Sequence, residues 1–295
     1  MVTAVQVAAC TAGERAELLR RLDEEFIFSR GRRLGVEARF PEAMRAPQSV
    51  FLCARTAERG IVGGLLLRPF DWTGGGQAHR GAMIGLVWTD NECRGQGIGS
   101  QMMAAAAAAA RQAGCEFALL WTARPAFYAR LGWLSADCGM LGVLRRAASP
   151  DFTEERHQER DHNDALRLAS MAASVSGYRV NASCLRFDTL LPPATERDVL
   201  IEGDSYALVG RLDDTGYVLE FGGAPSGQPQ IWATLRARYR LLYLNVRRGD
   251  AAHRLLAVDP AVRWQAQQLT MWLPLTDVAR TFRYGEWYVP FPDRI

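Results

Sequence analysis

The stretch Arg94-Gly95-Gln96-Gly97-Ile98-Gly99-Ser100 has the residue types and spacing of an anion site. Glycines at alternate positions free the backbone for a tight turn and let a bulky group approach it closely. Where such a turn opens a helix, unpaired N–H groups point outward and the helix dipole adds partial positive charge, which suits a phosphate. Arg94 adds a planar fork of donors. Two familiar phosphate loops are excluded. The nucleotide loop needs a lysine after its last glycine, and the chain contains no lysine. The dinucleotide fingerprint needs Gly-x-Gly-x-x-Gly, and here Met102 stands three residues after Gly99.

The elements around this loop are of the kind that would position it. Ala82 to Thr89 is a short apolar block with Ile84, Leu86, Val87 and Trp88, and reads as a buried strand. Met102 to Ala113 includes an unbroken alanine run from Ala104 to Ala110, the best helix former available, with Gly114 as a stop. Cys115 to Thr122 is a further apolar strand.

The loop resembles the acyl-CoA pyrophosphate loop of the GNAT acetyltransferase superfamily, Gln/Arg-x-x-Gly-x-Gly/Ala, with Arg94, Gly97 and Gly99 at the specified positions. Phe127-Tyr128-Ala129-Arg130-Leu131-Gly132-Trp133 is similar to the family's Phe-Tyr-x-x-Leu-Gly-Phe segment, with tryptophan in the last place. The resemblance implies an α/β (α+β) GNAT fold, a mixed central sheet flanked by helices, over residues 1–147. It implies acetyl-CoA as co-substrate, with no metal. Backbone groups at Val87, Trp88 and Thr89 would hold the pantetheine arm, and Arg94, Gly95, Gln96, Gly97, Ile98, Gly99 and Ser100 would hold the pyrophosphate. An acceptor amine would attack the thioester directly, and Tyr128 would protonate the departing thiolate. Thr89-Asp90-Asn91 lacks the proline common before the family's loop, and no asparagine lies between Trp121 and Tyr128.

The general base is not specified by the sequence. Glu24, Glu25, Asp71, Asp90 and Glu92 fall in segments that could line the acceptor side, and Trp72, Trp88 and Trp121 could shape its pocket. The alternative to an acyltransferase is a non-catalytic acyl-CoA sensor or assembly module. The acceptor class is a small-molecule or peptide amine, and homodimerisation is left open.

The 295 residues suffice for two domains, the net charge of +3 is too small to suggest a nucleic-acid partner, and no apolar run approaches the roughly 20 residues of a membrane span, so no membrane partner is expected. Up to residue 148 there are 18 arginines against 13 acidic residues, a weak basic bias suited to an anionic cofactor. The six cysteines (Cys10, Cys53, Cys93, Cys115, Cys138, Cys184) show neither metal-ligand spacing nor a disulfide framework, and a cytoplasmic location is expected.

Before the loop, a helix is expected over 14–26, an irregular arginine-rich segment over 27–46, strands at Ser49–Arg55 and Ile61–Phe70, and a flexible loop over Asp71–Arg80. Arg30 to Arg39 is a candidate surface for an anionic acceptor or for the 3′-phosphate of CoA. Leu134 to Leu144 is expected to close this first sheet. Residues 148–163 read as a linker. Residues 164–295 repeat the element order: a helix at Ala165–Ser174, strands at Ser205–Leu212 and Gly216–Gly222, a helix at Gln228–Arg238, a strand at Leu241–Val246 and a closing strand at Leu269–Leu275. The order suggests a second, degenerate GNAT-like domain. Its loop, Gly222-Gly223-Ala224-Pro225-Ser226-Gly227, lacks the arginine and the alternate glycines, so no CoA is expected there.

Overall fold

In the computed structural model, residues 4–74, 77–146, 162–173, 184–191, 193–282 and 288–295 are described. The elements in chain order are β1 (Gln6–Ala9), α1 (Ala12–Phe26), α2 (Val36–Arg39), α3 (Pro41–Arg45), β2 (Val50–Thr56), β3 (Gly60–Gly74), β4 (Gln77–Thr89), α4 (Ile98–Gln112), β5 (Phe117–Trp121), α5 (Pro125–Ala129), β6 (Leu134–Ser135) and β7 (Gly139–Arg145). They continue with α6 (His162–Ala173), β8 (Glu196–Glu202), β9 (Ser205–Leu212), β10 (Thr215–Gly223), α7 (Gln228–Arg238), β11 (Leu241–Arg247), α8 (Ala251–Ala257), β12 (Val262–Ala266) and β13 (Thr270–Pro274). Most of the expected 148–163 linker lies outside the described residues. Among the described residues no helix is long and apolar enough to cross a membrane.

The chain divides into two compact units. The first is drawn from Met1–Ala136, Leu269–Tyr284 and Arg294–Ile295, the second from Asp137–Gln268 and Gly285–Asp293. This division differs from a cut at residue 147. The first sheet runs β1-β2-β3-β4-β5-β13-β6 and the second β12-β7-β11-β10-β9-β8. Read from the β8 edge, the second sheet repeats the first from β2 onward, element for element. In each, the parallel pair (β4/β5, β10/β11) is joined through a helix (α4, α7), and an antiparallel strand lies beyond it.

That last strand comes from a distant part of the sequence in both units, and this corrects the expected sheet closures. Residues 139–145 pair with β11 and β12 in the second sheet, and 270–274 pair with β5 in the first. An apolar strand pattern specifies a buried, paired strand but not its partner. Trp272 on β13 is completely buried and stacks on Phe117 at 4.8 Å, so the strand is a full member of the first core.

In the first unit the two faces of the sheet are covered by different helices. Helix α1 starts in a capping box, where the Thr11 and Glu14 side chains satisfy each other's backbone N–H groups. It buries Leu18 and Leu22 with Ile27, Phe51, Leu66 and Trp88. Helix α4 covers the other face with Ile98, Met102 and Met103. Its alanines Ala106, Ala107 and Ala110 permit close approach to the sheet. Adjacent glycines on β3 record that approach: a Cβ at Gly63 would lie 3.0 Å from Met102, and one at Gly64 would strike Leu18.

Candidate functional site

The site is built where β4 hands over to α4. Gly95 and Gly97 have φ of +79° and +80°, a left-handed conformation that glycine alone adopts cheaply. Nothing lies within 4 Å of a Cβ added at either, so backbone shape rather than crowding demands them. Gly97 is the N-cap residue of α4. Gly99 has a different reason. A Cβ there would lie 3.2 Å from Phe127 on α5. Arg94, Gly95, Gln96 and Gly97 are all exposed, Gly99 and Ser100 half-buried, and Ile98 anchors the turn in the α4 core. The loop thus presents the open N-terminus of a 15-residue helix to solvent.

Upstream, Asp90 caps a short 3₁₀ turn, Asn91–Cys93, by accepting from the Glu92 N–H at 3.0 Å. Gln96 donates to the Glu92 carbonyl at 3.3 Å. Arg94 has two partners: Nε donates to the Thr89 carbonyl at 3.1 Å, and Nη2 reaches Glu25 Oε1 on α1 at 3.2 Å. The contact with Glu25 was not legible in the sequence, since 69 positions separate the two residues.

Strands β4 and β5 pair only over Gly81–Met83 and Phe117–Leu119, then part. On its other edge β4 keeps its partner but changes register. Gly85 lies opposite Leu66 and Trp88 opposite Gly64, so Leu86 and Val87 form a bulge against one residue of β3. Leu86 has φ of +52°. A left-handed leucine costs on the order of 1–3 kcal/mol and persists only where its surroundings fix it. Bulged residues leave the regular ladder, which frees backbone groups at the head of the gap between the parting strands. Val87 packs into the α4 core, while the Trp88 ring is buried beneath α1 with the Arg21 guanidinium 6.0 Å away. Trp88 therefore belongs to the core, and only its backbone is available to a ligand. Arg294 and Ile295 also reach this region, which no sequence signal indicated. Arg294 lies 5.3 Å over the Trp121 ring, and the Ile295 backbone occupies the space a Cβ on Gly85 would need.

Tyr128 sits on α5, its ring edge-on to Phe127 at 4.9 Å and to Trp133 at 6.2 Å. Burial pushes its phenol above the ordinary tyrosine range, and the nearby Arg124 charge opposes this only in part. The group is therefore held as a neutral acid through physiological pH. Phe127 touches both sides, packing on Tyr128 and on Gly99, so α5 and the loop are mechanically linked.

Other candidates are less concentrated at the site than their types suggested. Asp71 pairs in register with Arg80, nine residues before Thr89 along β4, or roughly 30 Å at strand rise. It lies on the extended arm of the β3–β4 hairpin, which replaces the loop expected over 71–80, and Trp72 lies beside it, 5.7 Å from His79. Glu92 pairs with Arg59 at 2.6 Å. Glu24 is exposed. Within Arg30–Arg39, Arg39 is wholly buried and donates to the Leu34 and Arg33 carbonyls, so it is a structural clamp rather than an anion receptor. Among the described residues no group of three or more His, Cys, Asp or Glu side chains could hold a metal ion.

The second unit has the same frame with its opening filled. Strand β10 pairs with β11 over Thr215–Val218, bulges between Val218 and Glu220, and leads to Gly222-Gly223. The Asn245 side chain donates to the Val218 carbonyl at 3.1 Å and accepts from buried Gln267 at 2.8 Å, stitching the parting strands together. At the loop, a Cβ on Gly223 would strike Asp204 and one on Gly227 would strike Glu202, while Ala224 donates to Asp204 at 2.7 Å. The turn between β8 and β9 thus occupies the space where the first unit is open.

Residues 12–136 match the acetyltransferase (GNAT) domain family. No curated protein matches the sequence. Among solved structures, a GCN5-related N-acetyltransferase from Kribbella flavida is 20% identical with a TM-score of 0.64, covering 94% of this chain and 73% of that one. One from Anabaena variabilis ATCC 29413 is 15% identical with a TM-score of 0.68, covering 94% and 74%. A tandem GNAT protein from the clavulanic acid biosynthesis pathway is 13% identical with a TM-score of 0.56, covering 92% and 99%. At these identities the likeness shows the fold, which extends over both units.

Proposed function

We propose, on the premise that residues 12–136 are a GNAT acetyltransferase domain, that this chain is an N-acetyltransferase moving an acetyl group from acetyl-CoA to a primary amine. The observation that supports this best is the sequence of events along β4. It parts from β5 after Met83, bulges at Leu86–Val87, and ends in a left-handed glycine turn that opens α4. A thioester laid into the gap would meet bulge N–H groups at its carbonyl oxygen, and its pyrophosphate would meet the helix N-terminus. The amine nitrogen attacks the carbonyl carbon, the C–S bond breaks, and the thiolate takes the Tyr128 proton while the new amide nitrogen loses its own to solvent, from which the Tyr128 phenolate is reprotonated. No covalent acyl-enzyme is required, and orientation of two bound substrates supplies much of the rate. The second unit, its loop filled by Asp204 and Glu202, does not bind the cofactor.

The reading is tested by incubating the protein with acetyl-CoA and a library of amines and following thiol release. Acetylated product with one or more amines is expected. Measurable CoA binding without turnover on any amine would overturn it in favour of a non-catalytic acyl-CoA sensor.

A further inference from the structure

The last turn of α1 carries Asp23, Glu24 and Glu25 and no basic residue, although the carbonyl end of a helix disfavours negative charge. Asp23 is accounted for by its hydrogen bond from the Val36 N–H at 2.6 Å. Glu25 has another use. Its carboxylate holds Arg94 Nη2 at 3.2 Å, on the very loop whose glycines and helix terminus favour anions. A carboxylate beside a phosphate site is a liability unless it acts on the ligand's counter-ion.

We propose that Glu25 is a positioning residue that competes with the cofactor pyrophosphate for Arg94, so that cofactor binding exchanges one anion for another on the guanidinium. The inference rests on the loop being the pyrophosphate site. The pair suits exchange because it is weakly held. The Arg94 and Glu25 side chains are 44% and 30% exposed, and ion pairs so open to water contribute little. A pyrophosphate offers the same guanidinium several charged oxygens and bidentate geometry. Nε stays anchored on the Thr89 carbonyl, so the fork need only turn at its Nη end. In the empty site Glu25 keeps Arg94 extended across the loop. In the loaded site it is released as a carboxylate at the end of α1.

The test measures CoA affinity of the full chain by isothermal titration for the native protein, Glu25→Gln, Arg94→Ala and the double variant. Low salt (about 0.05 M) and high salt (about 0.5 M) are compared, since screening removes interactions between exposed charges. Removing the competing charge is expected to tighten CoA binding about three- to tenfold at low salt. The gain should shrink at high salt and vanish in the Arg94→Ala background. A purely structural Glu25 would give a loss insensitive to salt. Unchanged or weakened binding in Glu25→Gln, with Arg94→Ala weakened, would overturn the exchange alone. Full affinity in Arg94→Ala would instead remove the arginine from the phosphate site, and the proposal with it. Glu25→Ala, which also removes the charge, repeats the test if the glutamine variant folds poorly.

Discussion

Alanine at Gly97 and alanine at Gly99 add the same methyl group two residues apart, and the structure assigns them opposite consequences. At Gly97 there is room for the methyl but φ is +80°. A left-handed alanine costs about 1–2 kcal/mol, and reduced freedom of the unfolded chain returns about 0.4–1 kcal/mol. The net is a destabilisation of about 1 kcal/mol, or a fall in Tm of about 2–4 °C for a unit of this size. If the backbone relaxes toward a right-handed turn, the N–H groups at the start of α4 swing away from the phosphate. Losing two hydrogen bonds to a charged group at about 1.5 kcal/mol each lowers CoA affinity about 10²-fold. At Gly99 the backbone is helical, and alanine gains up to about 1 kcal/mol of helix propensity. Its methyl presses on Phe127 at 3.2 Å, and Phe127 leans on Tyr128. Gly99→Ala should therefore keep its Tm and most of its CoA affinity while losing turnover. Thermal melts, CoA titration and thiol release on the two variants decide the matter. A Gly97→Ala protein with native Tm and native CoA affinity would refute the assignment of its left-handed turn to the cofactor.

Tyr128→Phe should lower kcat by 10²-fold or more, within the usual range for general acid catalysis, and leave CoA affinity nearly intact. Because burial raises the phenol, the alkaline fall in native kcat should come above about pH 10 and be absent from the residual rate of the variant. Trp272→Ala removes a completely buried side chain from the strand that completes the first sheet. It should cost about 3–5 kcal/mol in urea unfolding, and a cost under 1 kcal/mol would contradict the pairing of β13 with β5. In the second unit the buried Tyr239 hydroxyl donates to Asp198, and burial followed by that carboxylate push its ionisation far up. The folded state therefore binds the phenol proton more tightly than the unfolded chain, so stability is present below about pH 10 and falls above it. Tyr239→Phe should flatten that alkaline fall in urea titrations at pH 8 and 11; an unchanged slope would exclude Tyr239 as its source.

Local chemistry made much of the first unit legible. The run Ala82–Gly99 and the alanine helix declare themselves through glycine spacing, apolar blocks and helix propensity, all properties of neighbours in sequence, whereas the segment around Tyr128 stood out only by its resemblance to a family motif. The helix at Gln228–Arg238 and the strand at Ser205–Leu212 were readable in the same way. Four things were not. The arm of the β3–β4 hairpin looked like a loop because its stability comes from cross-strand partners such as Asp71 and Arg80 rather than an apolar pattern. The partners of 139–145 and 270–274 are set by which sheet edge is vacant. The role of Glu25 depends on a residue 69 positions away. The burial of Arg39 depends on carbonyls turned inward by a bend the sequence does not advertise.

The exchange of closing strands has a consequence for how such a chain can change over time. The second unit has a filled loop and a stitched cleft, so a loss of cofactor binding there would leave it free to be deleted. β6 and β13 are antiparallel neighbours, with Ser135 opposite Met271 and the Ala136 N–H donating to the Thr270 carbonyl at 3.0 Å, so joining Ala136 to Leu269 would leave a short hairpin of ordinary length. Most of the second unit is thus carried within the turn of that hairpin, and the pairing of β6 with β13 does not depend on it.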